Sequence, residues 1–586
     1  MRRPAVLHFL VLSVFVLSIF RISLPAQELK PDAALNSGAQ SPAVRQSAMN
    51  LIEEALAGSG SLTLASNRLA IELRAFPIVW SRSDARARAL VQQMASEFGQ
   101  AANRMRQDPD QNPAYALASL SNQRAAIARG IANSDPELGL EFLAATLPSL
   151  QLIGPEDCED HDLVVELAAQ VALHDPRRAF NLAEQQLKED GDLPQSMIEL
   201  LEQVERNDPQ AGARLFGDIV DHLRKKNLAE DTEGLSFAAS LLRTQYSLQS
   251  ETGKLDDALR ALAETVATAA TSSNVLADEP DILSEAMAAL DALVPNKSAA
   301  LYRENREPGQ LVSPFWQKFN QARSSGDSNQ VMAMLSQAPE DSRMDAAEQA
   351  AWDFAGNGDL KRANQLAGSL DAWKRSGIMQ LATRSAALAA GNRSDFTTAR
   401  RLAAQITDED SRASLLSDLA VCAQDQGKAR LAQEFLDEAS SLVMNEPAGT
   451  SAFTTQLRVA EAYLRVKPTQ AVALLERSAS QIEQALAAAA QLDGFLPDRH
   501  SFEGSELILG QGFLYHSLLE PYARVTAELA SLDLEAARTL ADRLSLPEAR
   551  LMTEVFVATG VLDNQEKTQA ASNPGFVLRD LLGHHR

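Results

Sequence analysis

Two short stretches of this 586-residue chain bring together side chains that could do chemistry. The first is Glu156-Asp157-Cys158-Glu159-Asp160-His161-Asp162, directly after Gly154-Pro155. A thiolate, an imidazole and several carboxylates could hold a metal, but a zinc site needs three or four ligands at set geometry. No second Cys/His cluster completes this one. An acidic helix start, favoured by the helix dipole, accounts for the same residues without a metal.

The second stretch is 493–516, DGFLPDRHSFEGSELILGQGFLYH. Asp498, Arg499, His500 and Glu503 offer acid–base groups, and Phe495, Phe502, Phe513 and Tyr515 concentrate aromatic surface in a chain only 5% aromatic. Long irregular stretches within a regular array often carry function. The competing reading is an insertion whose Phe side chains pack over the array's own apolar edge. As a site, this stretch suits binding of a protein or peptide partner, with Phe495, Arg499, His500, Phe502, Phe513 and Tyr515 as candidate contacts. Deleting 494–504 is then expected to weaken partner capture without unfolding the rest. The basic clusters Arg82/Arg86/Arg88 and Arg224/Lys225/Lys226 read as solvated helix faces. No HExxH, GxSxG, phosphate-binding glycine loop or paired-cysteine motif occurs, so no catalytic residue, cofactor site or metal ligand is assigned.

What positions these residues is a recurring phrase: Asp (or Gly/Lys), often Pro or Leu, two free positions, a small residue, two free positions, a large apolar residue. Copies are Asp135-Pro136…Gly139…Phe142, Asp175-Pro176…Ala179…Leu182, Asp208-Pro209…Gly212…Leu215, Asp359-Leu360…Ala363…Leu366, Asp395-Phe396…Ala399…Leu402, Lys467-Pro468…Ala471…Leu474 and Asp533-Leu534…Ala537…Leu540. Asp before Pro sets an N-cap acceptor ahead of a residue suited to the first helical position. Gly326-Asp327 and Gly358-Asp359 end one helix in a left-handed residue and start the next. The small residue then lies on the buried face and lets two helices approach closely. Each phrase is a corner in a unit of helix, tight turn, helix. Ala- and Leu-rich composition without strand signatures predicts an all-α fold of antiparallel helix hairpins stacked into an α-solenoid.

Gly358-Asp359-Leu360-x-x-Ala363 and Gly326-Asp327, at a period near 34 residues, resemble the second half of tetratricopeptide repeats, best over 313–565. The first helices lack that family's Trp/Leu-Gly/Tyr signature. The resemblance implies a scaffold that grips peptides or helices in a groove, and implies no catalysis. Pattern breaks at 271–283 and 304–313 divide the array into two segments in contact, 44–303 and 313–562, with a linker at 27–43 and a frayed tail at 563–586. Trp80, Trp316, Trp352 and Trp373 read as isolated core residues. Arg375, Arg412 and Arg550 recur after the corners, with Asp371 and Asp408 placed for i,i+4 pairing in the first two cases.

The N-terminus, MRRPAVLHFLVLSVFVLSIFRISLPAQE, has a basic start, an apolar stretch His8–Phe20 and a small-residue site ending at Ala26. This predicts a signal peptide, 1–26, and a periplasmic or extracellular protein, with an uncleaved anchor as the alternative. A formal charge of −24 argues against nucleic acid and anionic lipid as partners. Cys158 and Cys422 lie several repeats apart, beyond the ~7 Å between Cα atoms that a disulfide spans, so both are expected free. The function expected is a non-enzymatic, exported scaffold for a protein or peptide. The alternatives are a carbohydrate-active enzyme on a helical toroid, which needs paired carboxylates in its mouth, and a purely architectural spacer.

Overall fold

The computed structural model describes residues 42–572 apart from 108–112, 152–160, 189–192, 253–255, 273–282, 284–285, 305–313, 341, 444–448, 494–500 and 511. The signal segment, nearly all of the linker, Cys158, and Phe495, Arg499 and His500 lie outside the described residues. The chain is an α-helical repeat protein: the described residues form 26 α-helices and one two-stranded hairpin. Cys422 is a free thiol.

The corners form as the local sequence dictates. Asp208 accepts backbone N–H groups from Gln210 and Ala211 at 3.2 and 3.1 Å, with Pro209 opening the helix Pro209–Lys225. Asp135, Asp327, Asp359, Asp395 and Asp533 cap their helices in the same way. The residue before the cap is left-handed at Gly326, Gly358 and Gly427, and at Ser394, the one described non-glycine residue with positive φ.

The small position sets how closely helices pack. Ala179, Ala363, Ala399, Ala432, Ala471 and Ala537 are fully buried. At Gly212 an added Cβ would lie 2.5 Å from the Cα of Glu205 on the helix Ser196–Asn207. Gly212→Ala should therefore cost about 2–3 kcal/mol in urea unfolding, because backbone must move. Gly217→Ala in the same helix meets nothing within 4 Å and should add about 0.5–1 kcal/mol through helix propensity. Equal effects from the two changes would refute the close-packing role.

Two expectations need correction. Arg375 does not pair with Asp371: its guanidinium bonds the carbonyls of Ala367, Gly368 and Leu370, closing the C-terminus of the helix Leu360–Ala367. The last carbonyls of a helix lack partners within it, and a nearby Arg side chain satisfies them. Trp352 and Trp373 are not core residues but 37% and 56% exposed. The buried stripe of the helix Arg343–Gly356 is Ala346, Ala350, Ala351, Phe354 and Ala355, and Trp352 falls on the opposite face. Trp80 and Trp316 are half-buried against the core.

The buried side chains of the described residues form three clusters. One spans Val165–Leu301 and another Phe319–Ala382. The largest joins Ala48–Leu167 to Ala387–Leu562, the two halves of the chain, in a single core. The first helix, Pro42–Ser59, and the second, Ala65–Trp80, pack on the last, Pro547–Ser572. The two ends of the described chain thus meet in a packed seam. Midway along the sequence, only residues 305–313 separate the helices Pro295–Glu304 and Pro314–Ser324.

Candidate functional site

The described part of the 493–516 stretch is spent on that seam. Phe502–Glu503 and Glu506–Leu507 pair as an antiparallel hairpin, Phe502 opposite Leu507 and Glu503 opposite Glu506. Its second strand lies against helices from both ends of the chain. Asn67, fully buried, accepts from the Leu509 N–H at 2.8 Å and donates to the Leu507 carbonyl at 2.9 Å, as a neighbouring strand would. Glu506 accepts the backbone N–H groups of Thr63 and Leu64, the latter at 3.0 Å. Leu64, the N-cap of Ala65–Trp80, makes no side-chain cap bond of its own, so a residue some 440 positions away caps this helix. On the other side, the Leu507 N–H donates to Glu548 at 2.6 Å, in the first turn of the last helix. Arg74 stacks over the Phe556 ring at 4.0 Å, and Arg538 pairs with Glu54 at 3.1 Å.

The charges of the seam follow from these bonds. Burial tends to raise the Glu506 carboxyl, yet the Leu64 and Thr63 N–H groups hold it below its usual value. Burial pushes Glu548 up. Just beneath the seam lies a cluster of Arg68, Glu72, Gln93 and Glu97. Arg68 pairs with Glu97 at 2.7 Å, and Gln93 donates to Glu72 at 2.5 Å and to Glu97 at 3.3 Å. Burial, and then the Glu97 carboxylate, push Glu72 up to about 8. This is a closely placed carboxylate pair, but both residues are buried and neither lines any of the described cavities. A glycosidase pair must reach its substrate.

Of the candidate contacts, Phe502 and Tyr515 are buried in the seam and Phe513 is 59% exposed. His516 bridges the Gly510 carbonyl at 2.7 Å and Glu520 at 2.8 Å, with Arg524 on the same carboxylate. The segment 494–504 thus includes part of a structural hairpin, and its deletion would remove Phe502 and Glu503 from the seam. The basic cluster at 224–226 borders a cavity of about 420 Å³ with Lys297, whose ammonium is engaged by Thr268 at 2.8 Å.

A second exposed aromatic surface lies on the first helices of successive repeats. Arg343–Gly356, Ala372–Asn392 and Glu409–Asp425 lie side by side and parallel: Glu348 pairs with Lys374, an added Cβ on Gly377 would lie 3.1 Å from the Trp352 ring, Gln380 bonds Ser411, and Arg384 pairs with Asp418 at 2.5 Å. Asp418 also takes Arg458 from the next first helix, Thr450–Val466. On this face Met344, Glu348 and Trp352 fall at i, i+4 and i+8 and share a stripe. Trp373 sits one turn before Gly377, so Gly377 leaves room for the Trp352 ring between them. Beside them, Gly377, Gln380, Leu381, Arg384, Ile406 and Ser411 line a cavity of about 220 Å³. The signal for Trp352 was helical phase: it lies off the buried stripe of its own helix.

Among solved structures, the chain is similar to a circular tandem repeat protein with novel repeat topology and enhanced subunit contact surfaces, at 14% identity over 90% of this chain and 100% of that one, with a TM-score of 0.19. It is also similar to a chain of Naa15/Naa10 bound to HypK-THB, at 13% identity over 85% of this chain and 76% of that one, with a TM-score of 0.22. No family model and no curated protein matches it. Similarity at these TM-scores has no bearing on partners or activity.

Proposed function

We propose that this chain is an exported, non-enzymatic helical-repeat scaffold of the cell envelope that binds a protein or peptide partner on the face built by its first helices. The observation that carries the reading is the pair Trp352 and Trp373. Two of the chain's four tryptophans stand exposed on adjacent helices, with Met344, 63% exposed, nearby. Exposed tryptophan beside a small cavity is the composition of an interface anchor, since a large rigid ring gains much on burial and loses little entropy. The carboxylates of the seam are committed to capping and hydrogen bonding, which favours a scaffold over hydrolysis. Export rests on the N-terminal sequence; among the described residues no helix is long and apolar enough to cross a membrane.

The test is affinity purification of the full-length chain from the envelope fraction, compared with the double variant Trp352→Ala/Trp373→Ala. A specific protein should be recovered with the native chain and be depleted about tenfold with the variant. Trp373→Ala alone, at a ring 56% exposed, should unfold at the same urea concentration as the native chain and serves as the folded control. Equal recovery with both chains, or turnover of a glycan panel with no protein recovered, would overturn the proposal.

A further inference from the structure

The charges around the tryptophans restrict what can dock there. The first helices begin with acids: Asp345 in the first turn of one, Asp371 capping the next, and Asp408, Glu409 and Asp410 opening the third. None of these five is in an ion pair among the described residues. Of the nearby cations, Lys374 is held by Glu348 and Arg384 by Asp418, while Arg375 and Arg343 donate to backbone carbonyls and keep their charge, as does Arg412 one turn beyond Asp408. Five carboxylates outside ion pairs thus outnumber the three guanidiniums Arg343, Arg375 and Arg412 along this edge, in a chain of net charge −24. Asp410 registers this excess: burial, then the Asp408 carboxylate, hold its carboxyl above the ordinary value, with Glu409 adding to the effect. A cation brought to this edge relieves like-charge repulsion, whereas an anion is repelled.

Resting on the partner-binding reading above, we infer that the occupant of this face is a cationic amphipathic segment of a partner protein, its apolar side chains against Trp352, Trp373 and Leu381 and its Lys or Arg side chains among Asp345, Asp371 and Asp408–Asp410. Apolar and acidic groups share one surface, so a ligand that satisfies both must carry both characters. A helix that alternates Leu-type and Lys-type faces does so. The rings add a second attraction, since a cation over an exposed indole face gains electrostatically. Lys374 already lies 5.5 Å from the Trp373 ring centre.

The full-length chain can be titrated with three synthetic helical peptides: Leu/Lys amphipathic, its Leu/Glu counterpart, and a Lys/Ser peptide without an apolar face. The readouts are tryptophan emission and anisotropy of labelled peptide. The Leu/Lys peptide should bind and shift emission to the blue, as Trp373 loses water. Trp373→Ala and the triple change Asp371→Asn/Asp408→Asn/Asp410→Asn should each weaken it about tenfold, and added salt should weaken it further. The Leu/Glu peptide should not bind. Equal binding of Leu/Lys and Leu/Glu peptides would remove the charge argument while leaving a protein-binding face. Lys/Ser binding as tight as Leu/Lys, untouched by Trp373→Ala, would reduce the effect to general attraction to an acidic surface. Failure of all three peptides while the purification above still recovers a tryptophan-dependent partner overturns the occupant but not the scaffold; failure of both overturns both. A monomer–dimer shift abolished by Trp352→Ala/Trp373→Ala would instead assign the face to a second copy of the chain.

Discussion

Asn67→Ala should cost about 3–5 kcal/mol in chemical unfolding, an effect more usual for a large core side chain than for an amide. Asn67 is fully buried and makes three hydrogen bonds to the hairpin: to the Leu507 carbonyl, from the Leu509 N–H, and to Glu506 at 3.3 Å. Alanine leaves one buried donor and one buried acceptor of the hairpin backbone without partners, and each costs about 1–3 kcal/mol. Asn67→Asp should be at least as damaging, since a carboxylate cannot donate to the Leu507 carbonyl and would face Glu506. The effect should be local at first. Hydrogen exchange at Leu507 and Leu509 should speed up, while the repeats around Asp395 and Asp408, remote from the seam in sequence, keep their protection. A loss of less than about 1 kcal/mol, or exchange rates unchanged at Leu509, would show that the apolar seam alone holds the ends together.

The second large effect is a pH dependence centred on Glu72. Its carboxyl is raised from the ordinary 4.5 to about 8 by burial and by Glu97. One of its oxygens, Oε2, has no hydrogen-bond partner. Between those values the folded chain keeps a proton that the unfolded chain has released, so the native state binds more protons and stability falls as pH rises. The contribution is fully present below the unfolded value and is lost progressively up to about pH 8. With Arg68 and Glu97 sharing the charge, the loss should be about 2–4 kcal/mol across that window. Glu72→Gln removes the ionisation and keeps the shape. The variant should match the native chain near pH 5 and exceed it by that amount above pH 8. Urea midpoints measured across the range decide the matter: parallel curves for the two proteins would mean that Glu72 does not titrate in this window.

How much of this was legible in the sequence depended on the range of the interactions. The corners were, because a cap is a contact between a side chain and a backbone N–H two or three residues on, as at Asp208 and Asp359. The small residue at Ala399 or Gly212 was legible too, since its distance from the cap puts it on the buried face. The exposure of Trp352 was legible in helical phase, since the small and apolar residues Ala346, Ala350 and Phe354 mark the opposite face. Trp373, the second residue of its helix, has no preceding turn to set a phase. The 493–516 stretch was recognised as an interruption, and Phe513 is indeed exposed. Yet the side chains of Phe502 and Tyr515 fill the chain's own seam.

What the sequence alone determined is the unit: an N-cap, a helix, a small residue for close approach, a corner, and an acidic, aromatic-poor surface repeated along the chain. All of these are set by interactions within one or two helical turns. Only the tertiary structure decided that the two ends of the described chain meet. The seam rests on Asn67 meeting Leu507 and Leu509, and on Glu506 capping a helix some 440 residues earlier. No local periodicity encodes a pairing at that separation. It depends on packing between helices at opposite ends of the described chain, which only the folded arrangement brings together.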